Sequence, residues 1–402
     1  MKFTALVSLA AAVMVLAEAS PIKKEHPGFA VNLTRKDNHK PDIFAQMNKM
    51  YNRYNRSGAR VRAAGTTGTV GLTDSGADSE YYGTVSVGTP AQKFRLDFDT
   101  GSSDIWFPSS TCTTSACKKH TRFNSAKSST YKKDGRTWKI KYGDESTASG
   151  ILGSDMVNVG GISVRQTIGL ATQESAAFST SPEDGLFGLA FAQIESVAGV
   201  TTFMDNAIAT GALAQPVVSV FLPSVRRNGG VGGQYLFGGI DSSKYTGDLT
   251  YINVDTQGWW QIPMDDVLVN GKSLGFNQEG IVDTGTTLVL LSDDAAAAVH
   301  KQIPGAVYHP AQGQNAAYYS VPCSSTTGNV GFSLGGTVFN VPMADVAWNP
   351  LNDGTGNCYS GIQGGMNWAD GNPWILGDIF IKNNYCVFDK GQARIGIAPS
   401  KY

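Results

Sequence analysis

The chain has 402 residues, more than one compact core usually holds, so two domains are expected. Charged residues make up 16%, against roughly 25% in average soluble chains, and Gly fills 47 positions. Few charges with many Gly, Val, Thr and Ser point to β structure with many turns, and no apolar run is long enough to span a bilayer.

The chain opens on a removable address. Lys2 is followed by an apolar stretch from Phe3 to Leu16 and by Ala17-Glu18-Ala19, a small-x-small cleavage site. Residues 1–19 therefore read as a secretory signal, which sets the expectation of a secreted, extracellular protein rather than a vacuolar one. Residues 20–67 form a basic leader whose end is placed between 62 and 70. Ten Lys and Arg lie between Ser20 and Thr73, opposed by Glu25, Asp37 and Asp42 alone. The body of the chain after the leader is net acidic. A basic leader on an acidic body suggests a segment held by charge and released when carboxylates are protonated. Export argues against nucleic acid as its partner.

Thr66 to Asp78 is rich in Gly, Thr, Ser and Asp and reads as a linker. Strand signals come after it at 81–87, 93–98, 137–142, 151–159, 217–222, 249–254, 261–269, 287–291, 318–321 and 337–341. Gly160-Gly161 and Asn270-Gly271 look like tight hairpin turns. The clearest helix is Ser292–Gln302: Ser292 caps it, Asp293 and Asp294 suit its positive end, and Pro304-Gly305 ends it.

Cysteines in an exported chain belong to an oxidising compartment. Cys112 and Cys117 can close a small loop, and Cys323 with Cys358 is the natural second pair, although Cys358–Cys386 is also open. The flanks of Cys386 suggest a buried thiol. A four-cysteine zinc site lacks any Cys-x-x-Cys spacing, so no metal is expected. His120, His300 and His309 read as surface residues.

One pattern occurs twice. Asp99-Thr100-Gly101-Ser102 follows the apolar alternation Phe94, Leu96, Phe98, and Asp283-Thr284-Gly285-Thr286 follows Ile281-Val282. Downstream of each lies a pair of apolar residues followed by Gly, at Gly188 and at Gly377. The spacing is nearly equal, which points to two related halves. Gly101 and Gly285 allow a tight turn and a close backbone N–H. Ser102 and Thr286 can donate to the outer oxygen of their Asp, while Thr100 and Thr284 can tie one loop to the other. Two carboxyls facing one another at short range cannot both ionise, so they share a proton in acid. One then deprotonates a water and the other donates to a carbonyl. Asp97 has Ile281 as its counterpart, so it reads as a structural ion pair or a solvated carboxylate.

These motifs, Trp106, both cysteine pairs and the ending "VFDKGQARIGIAP" (387–399) together resemble the pepsin-type aspartic endopeptidases of the kind fungi secrete. The resemblance covers nearly everything after about residue 68. It implies a mostly β, bilobal fold with a central cleft and a β-hairpin flap, with lobes at 68–255 and 256–402. It implies Asp99 and Asp283 as catalytic residues and the pairs Cys112–Cys117 and Cys323–Cys358. No cofactor is needed beyond the catalytic water. Polypeptides are the expected substrates, pepstatin-type molecules the inhibitors, and the chain is expected to be a monomer. The flap matches "KYGDESTASG" (141–150), with Trp138, Ile140 and Tyr142 on one strand face. Tyr142 resembles the flap tyrosine that meets the indole of Trp106, with Gly143 and Asp144 beside it. Glu145 departs from the Gly common at that place, which alters flap flexibility. An acid where Asp144 stands accompanies cleavage after Lys in similar enzymes. In the leader, Arg53-Tyr54, with Lys49 as a rival, matches the latch that related zymogens lay over their aspartates, which makes the propeptide an intramolecular inhibitor.

Three other readings compete. "GFSLG" (331–335) matches a serine-hydrolase elbow, but the stretch after it, "GTVFNVP" (336–342), reads as a strand and no His lies downstream, so Ser333 reads as turn chemistry. A glycosidase also uses two carboxyls but needs no paired Asp-Thr-Gly loops. A catalytically silent binding protein on the same fold would be expected to have lost an Asp.

Overall fold

Phe94, Leu96 and Phe98 are fully buried on a strand, Gln92–Asp99, that delivers Asp99 to its end. The computed structural model describes residues 66–74, 78–142, 146–312, 316–366 and 373–402. Within them the chain is mostly strand, with short helices only. Expectations resting on residues 1–65, Gly143, Asp144 and Glu145 lie outside the described residues; among these are Lys49, Arg53 and Tyr54.

Strands from the first half build an eight-stranded sheet. Its order is Thr73–Asp74, Tyr81–Val87, Gln92–Asp99, Gly185–Gly188, Ile105–Pro108, Ile162–Glu174, Thr147–Val159 and Lys132–Lys141. Gly160 and Gly161 join two 13-residue strands with positive φ at both positions, the geometry a two-residue hairpin needs. A five-stranded sheet in the second half runs Gln261–Met264, Gln278–Val282, Trp374–Leu376, Val289–Leu290 and Ile362–Gln363.

A six-stranded sheet joins the halves. Gly68–Gly71, Gln234–Phe237 and Val217–Phe221 come from the first half; Asn384–Asp389, Arg394–Pro399 and Thr250–Asn253 complete it. Residues Thr66 to Asp78 are thus not a plain linker. Gly68–Gly71 is an edge strand, and Val70, Leu72 and Asp74 are buried. The main core is a cluster running from Val70 to Ile397, with a second around Trp106, Trp138 and Tyr142 and a third around Val217 and Tyr385.

Other expectations need correction. The 261–269 stretch is two strands in two sheets, because the chain turns at Asp265, whose N–H donates to the Ser333 carbonyl at 2.8 Å. Ser333 lies on a strand, Asn329–Leu334, and its hydroxyl donates to Asp265 Oδ2 at 3.2 Å. Helix Asp293–Lys301 is capped by Ser292, which accepts from the Ala295 N–H. His300 on that helix is buried, not superficial, because its ring stacks on Tyr319 at 4.0 Å. His120 has a nearly buried side chain with Nδ1 3.6 Å from Glu174. Disulfides join Cys112 to Cys117 and Cys323 to Cys358, leaving Cys386 free and buried.

Candidate active site

The two halves thread their Asp loops identically. The strand ending at Asp99 runs parallel to Gly185–Gly188, with Asp99 opposite Gly188, and Ile105–Pro108 runs antiparallel to the same strand. The strand ending at Val282 runs parallel to Trp374–Leu376, and Val289–Leu290 is antiparallel to it. Side chains are excluded at the two motif glycines. A Cβ at Gly188 would overlap the Ser103 backbone, and one at Gly377 would overlap the carbonyls of Thr286 and Leu288.

This threading brings the loops face to face. Thr100 N–H donates to Thr284 Oγ1 at 3.0 Å, and Thr284 N–H donates to Thr100 Oγ1 at 2.9 Å. Each hydroxyl reaches across to the opposite strand: Thr100 Oγ1 to the Val282 carbonyl at 3.0 Å, Thr284 Oγ1 to the Phe98 carbonyl at 2.7 Å. A Cβ on Gly101 would lie 2.5 Å from Asp283 Oδ1, so the first loop passes directly against the second carboxylate.

Each carboxylate is held in the same way. Gly101 N–H donates to Asp99 Oδ1 at 2.9 Å and Gly285 N–H to Asp283 Oδ1 at 3.0 Å. Ser102 Oγ donates to Asp99 Oδ2 and Thr286 Oγ1 to Asp283 Oδ2. Both Asp side chains are 0% exposed. The outer hydroxyls and the glycine N–H groups fix the orientation of each carboxylate on its own loop.

Over the first loop, Trp106 Nε1 donates to the Tyr142 hydroxyl at 2.6 Å. Trp138, Ile140 and Tyr142 are buried while Lys139 and Lys141 are exposed, so the strand Lys132–Lys141 turns one apolar face inward.

Four polar residues near the dyad escape a reading of the sequence. Asp378 directly follows Gly377 and is fully buried. Burial first, then the charges of Asp97 and Asp283, lift its carboxyl well above the usual range, against Lys382. Asp97 is therefore buried beside another acid, not solvated. Tyr235 donates to the Phe98 carbonyl at 2.9 Å. Lys390 Nζ donates to the Ala190 carbonyl at 3.0 Å, and burial lowers its pKa against the pull of Asp205. Burial likewise raises Asp104, although Trp138 and Ser196 donate to it. The signal for Asp378 is an acid inside the apolar run "ILGDIF". Burying such a charge is costly enough to mark it.

Among the described residues no three His, Cys, Asp or Glu side chains converge on a metal position. Asp99 and Asp283 stand on the two facing loops, each held by a glycine N–H and a hydroxyl.

Comparison with known proteins agrees with this geometry. A family model described as "Eukaryotic aspartyl protease" matches residues 80–400. The chain is 42% identical to rhizopuspepsin-1 of Rhizopus niveus, over 99% of each chain. It is 37% identical to syncephapepsin of Syncephalastrum racemosum over the whole of both chains. Identity to pepsin A of Bos taurus is 38%, over 86% of this chain and 91% of that one.

Proposed function

The chain belongs to the pepsin family of aspartic endopeptidases and is a hydrolase of peptide bonds in polypeptides; within that family, we propose that Asp99 and Asp283 are its catalytic pair. The observation that supports this most is the reciprocal Thr100–Thr284 bonding, which fixes the two loops in one frame.

In this reading one proton is shared between the carboxyls. The ionised one takes a proton from a water held between them, and the water attacks the scissile carbonyl. The protonated one donates to the carbonyl oxygen, and the proton returns to the leaving amine. Both roles exchange during turnover, so the nearly symmetric holding of Asp99 and Asp283 suits the task. Tyr142 covers the first loop and excludes water from the cleft.

The zymogen reading adds the basic leader. Residues 20–67 would be an inhibitory propeptide with Arg53-Tyr54, or Lys49, over the dyad, cut in acid near residues 62–70. The signal at 1–19 supports secretion. The preference is for large apolar residues before the scissile bond, with Lys also accepted through Asp144. That specificity rests on the sequence match at 141–150 alone.

The experiment is acid proteolysis of a denatured protein, with and without a pepstatin-type inhibitor. Cleavage that the inhibitor abolishes and that Asp283→Asn lacks is expected. Cleavage surviving in Asp283→Asn would remove the dyad assignment. Asp99→Asn protein should also fail to mature in acid, and Asp144→Ser should lose cleavage after Lys while keeping cleavage after norleucine.

A further inference from the structure

We propose that Asp104 is a positioning residue for substrate binding: through Trp138 it sets where Tyr142 stands over the cleft. The inference rests on the reading of Tyr142 as the residue that covers the cleft.

The strand Lys132–Lys141 has a backbone partner on one side only. It is the edge strand of the eight-stranded sheet and pairs only with Thr147–Val159. Its register breaks between Lys133 and Thr137. Thr137–Lys141 stay paired with Thr147–Ile151 and Tyr142 N–H donates to the Ser146 carbonyl at 2.9 Å, so side chains are left to place the strand's other side.

Two polar contacts do so on the inward face. Tyr142 accepts from Trp106, and Trp138 Nε1 donates to Asp104 Oδ1 at 2.7 Å. An indole N–H is a donor only, so Trp138 needs an acceptor at that point. Tyr142 lies four residues past Trp138, just beyond the end of its strand, and their partners, Asp104 and Trp106, lie two apart at the start of Ile105–Pro108.

Asp104 is itself anchored. Its Oδ2 accepts from Ser196 N–H at 3.0 Å and from Ser196 Oγ at 2.9 Å. Its carbonyl accepts from Gly188 N–H at 3.0 Å, one position across from Asp99. Glu195 faces it from the same segment as Ser196, and Lys390 faces Glu195. Trp138 has little freedom, since its ring lies 5.7 Å from that of Trp106 and a Cβ on Gly169 would stand 2.8 Å from it.

The repeat isolates this feature. Asp104 lies five residues past Asp99, and the residue five past Asp283 is Leu288, which is fully buried. The acid stands in the half that carries the Trp106–Tyr142 contact.

The test compares steady-state kinetics of Trp138→Phe, Asp104→Leu, the double variant and Asp104→Asn on one peptide substrate. Displacing a substrate-contacting group by a fraction of an ångström should raise KM about tenfold in Trp138→Phe and in Asp104→Leu, with kcat within about threefold. The double variant should be no worse than either single one. Asp104→Asn keeps one acceptor for the indole but turns an amide NH2 toward the Ser196 N–H, so its KM should fall between those of the parent and Asp104→Leu. Unchanged KM in Trp138→Phe, or additive losses in the double variant, would overturn the inference even if melting temperature falls. Trp138→Phe keeps an aromatic ring at the site while losing the N–H donor, so it decides the matter if Asp104→Leu does not fold. Tyr142→Ala serves as the control. A KM indifferent to Tyr142→Ala would remove the premise, whereas a KM that responds to it and not to Trp138→Phe would remove the Asp104 inference alone.

Discussion

Thr100 and Thr284 each donate a backbone N–H to the other's hydroxyl, at 3.0 and 2.9 Å, while each hydroxyl donates to the carbonyl one strand away. Replacing either hydroxyl leaves the facing buried N–H without its partner, at about 1–3 kcal/mol, while the Phe98 carbonyl keeps its bond from Tyr235. Thr100→Val and Thr284→Val should each lower stability by a few kcal/mol and also lower kcat. Urea unfolding of the single and double variants should give a coupling energy of about 0.5–3 kcal/mol. Strict additivity would mean that the two residues do not act as one lock.

Asp99→Asn and Asp283→Asn remove the carboxyl pair without changing its shape. Each should lower kcat by about 10²- to 10⁴-fold, the range of one lost acid–base group. Active-site titration with a pepstatin-type inhibitor, alongside kcat, checks this. A variant retaining more than about a tenth of the parent rate would show that its Asp is not a proton carrier.

Raised carboxyls make stability fall as pH rises. Asp378 and Glu195 are lifted well above the usual range, chiefly by burial, and Asp104 is lifted for the same reason. The folded state then binds protons that the unfolded chain has already released. Their contribution is complete below the ordinary carboxylate range and is lost as pH climbs through the raised folded values. The share of stability that these acids contribute should therefore drop between pH 4 and pH 7. Asp378→Asn should remove its part of that drop, so the urea midpoint of the variant should gain on the parent's as pH rises. Parallel pH profiles of parent and variant would contradict a raised Asp378.

His300 works in the opposite direction. Burial pushes its pKa down to about 4 from an ordinary 6.5. Its Nδ1 lies 2.7 Å from the Ala296 carbonyl and its Nε2 2.8 Å from Ser360 Oγ, which suits a neutral ring protonated on Nδ1. Here the unfolded chain gains the proton first, so stability is present above 6.5 and is lost as pH falls toward 4. The full loss amounts to about 3 kcal/mol. His300→Gln should be less stable at neutral pH but lose less on acidification from pH 6.5 to 4. An identical acid slope in parent and variant would refute a neutral buried ring.

The repeat is readable from sequence because a carboxylate turn demands Gly and hydroxyl residues at fixed offsets, and those types are visible. The strand Ile162–Glu174 is not legible in the same way. Its inward positions run Ile162, Val164, Gln166, Ile168, and the amide at Gln166 interrupts the apolar alternation. That amide is buried because it donates to the Thr201 carbonyl and accepts from Asn206. Thr66–Asp78 reads as a linker for a related reason. Its few apolar residues, Val70 and Leu72, gain their burial from strands more than a hundred residues away. The polar groups behind the dyad are invisible in the sequence because their significance lies in where they are buried. Asp104 and Asp378 both stand beside the repeated motifs, at positions whose counterparts in the other half, Leu288 and Leu189, are apolar.

The six-stranded sheet also dictates when this protein can become whole. Val217–Phe221 has Gln234–Phe237 on one side, and its other side belongs to Asn384–Asp389. On the ribosome that second neighbour emerges about 160 residues later. Until then the first half carries a bare apolar edge, and the chain cannot close its frame. A nascent hydrolase built this way stays idle throughout its own synthesis, and severing it between the halves would leave each fragment with an open seam.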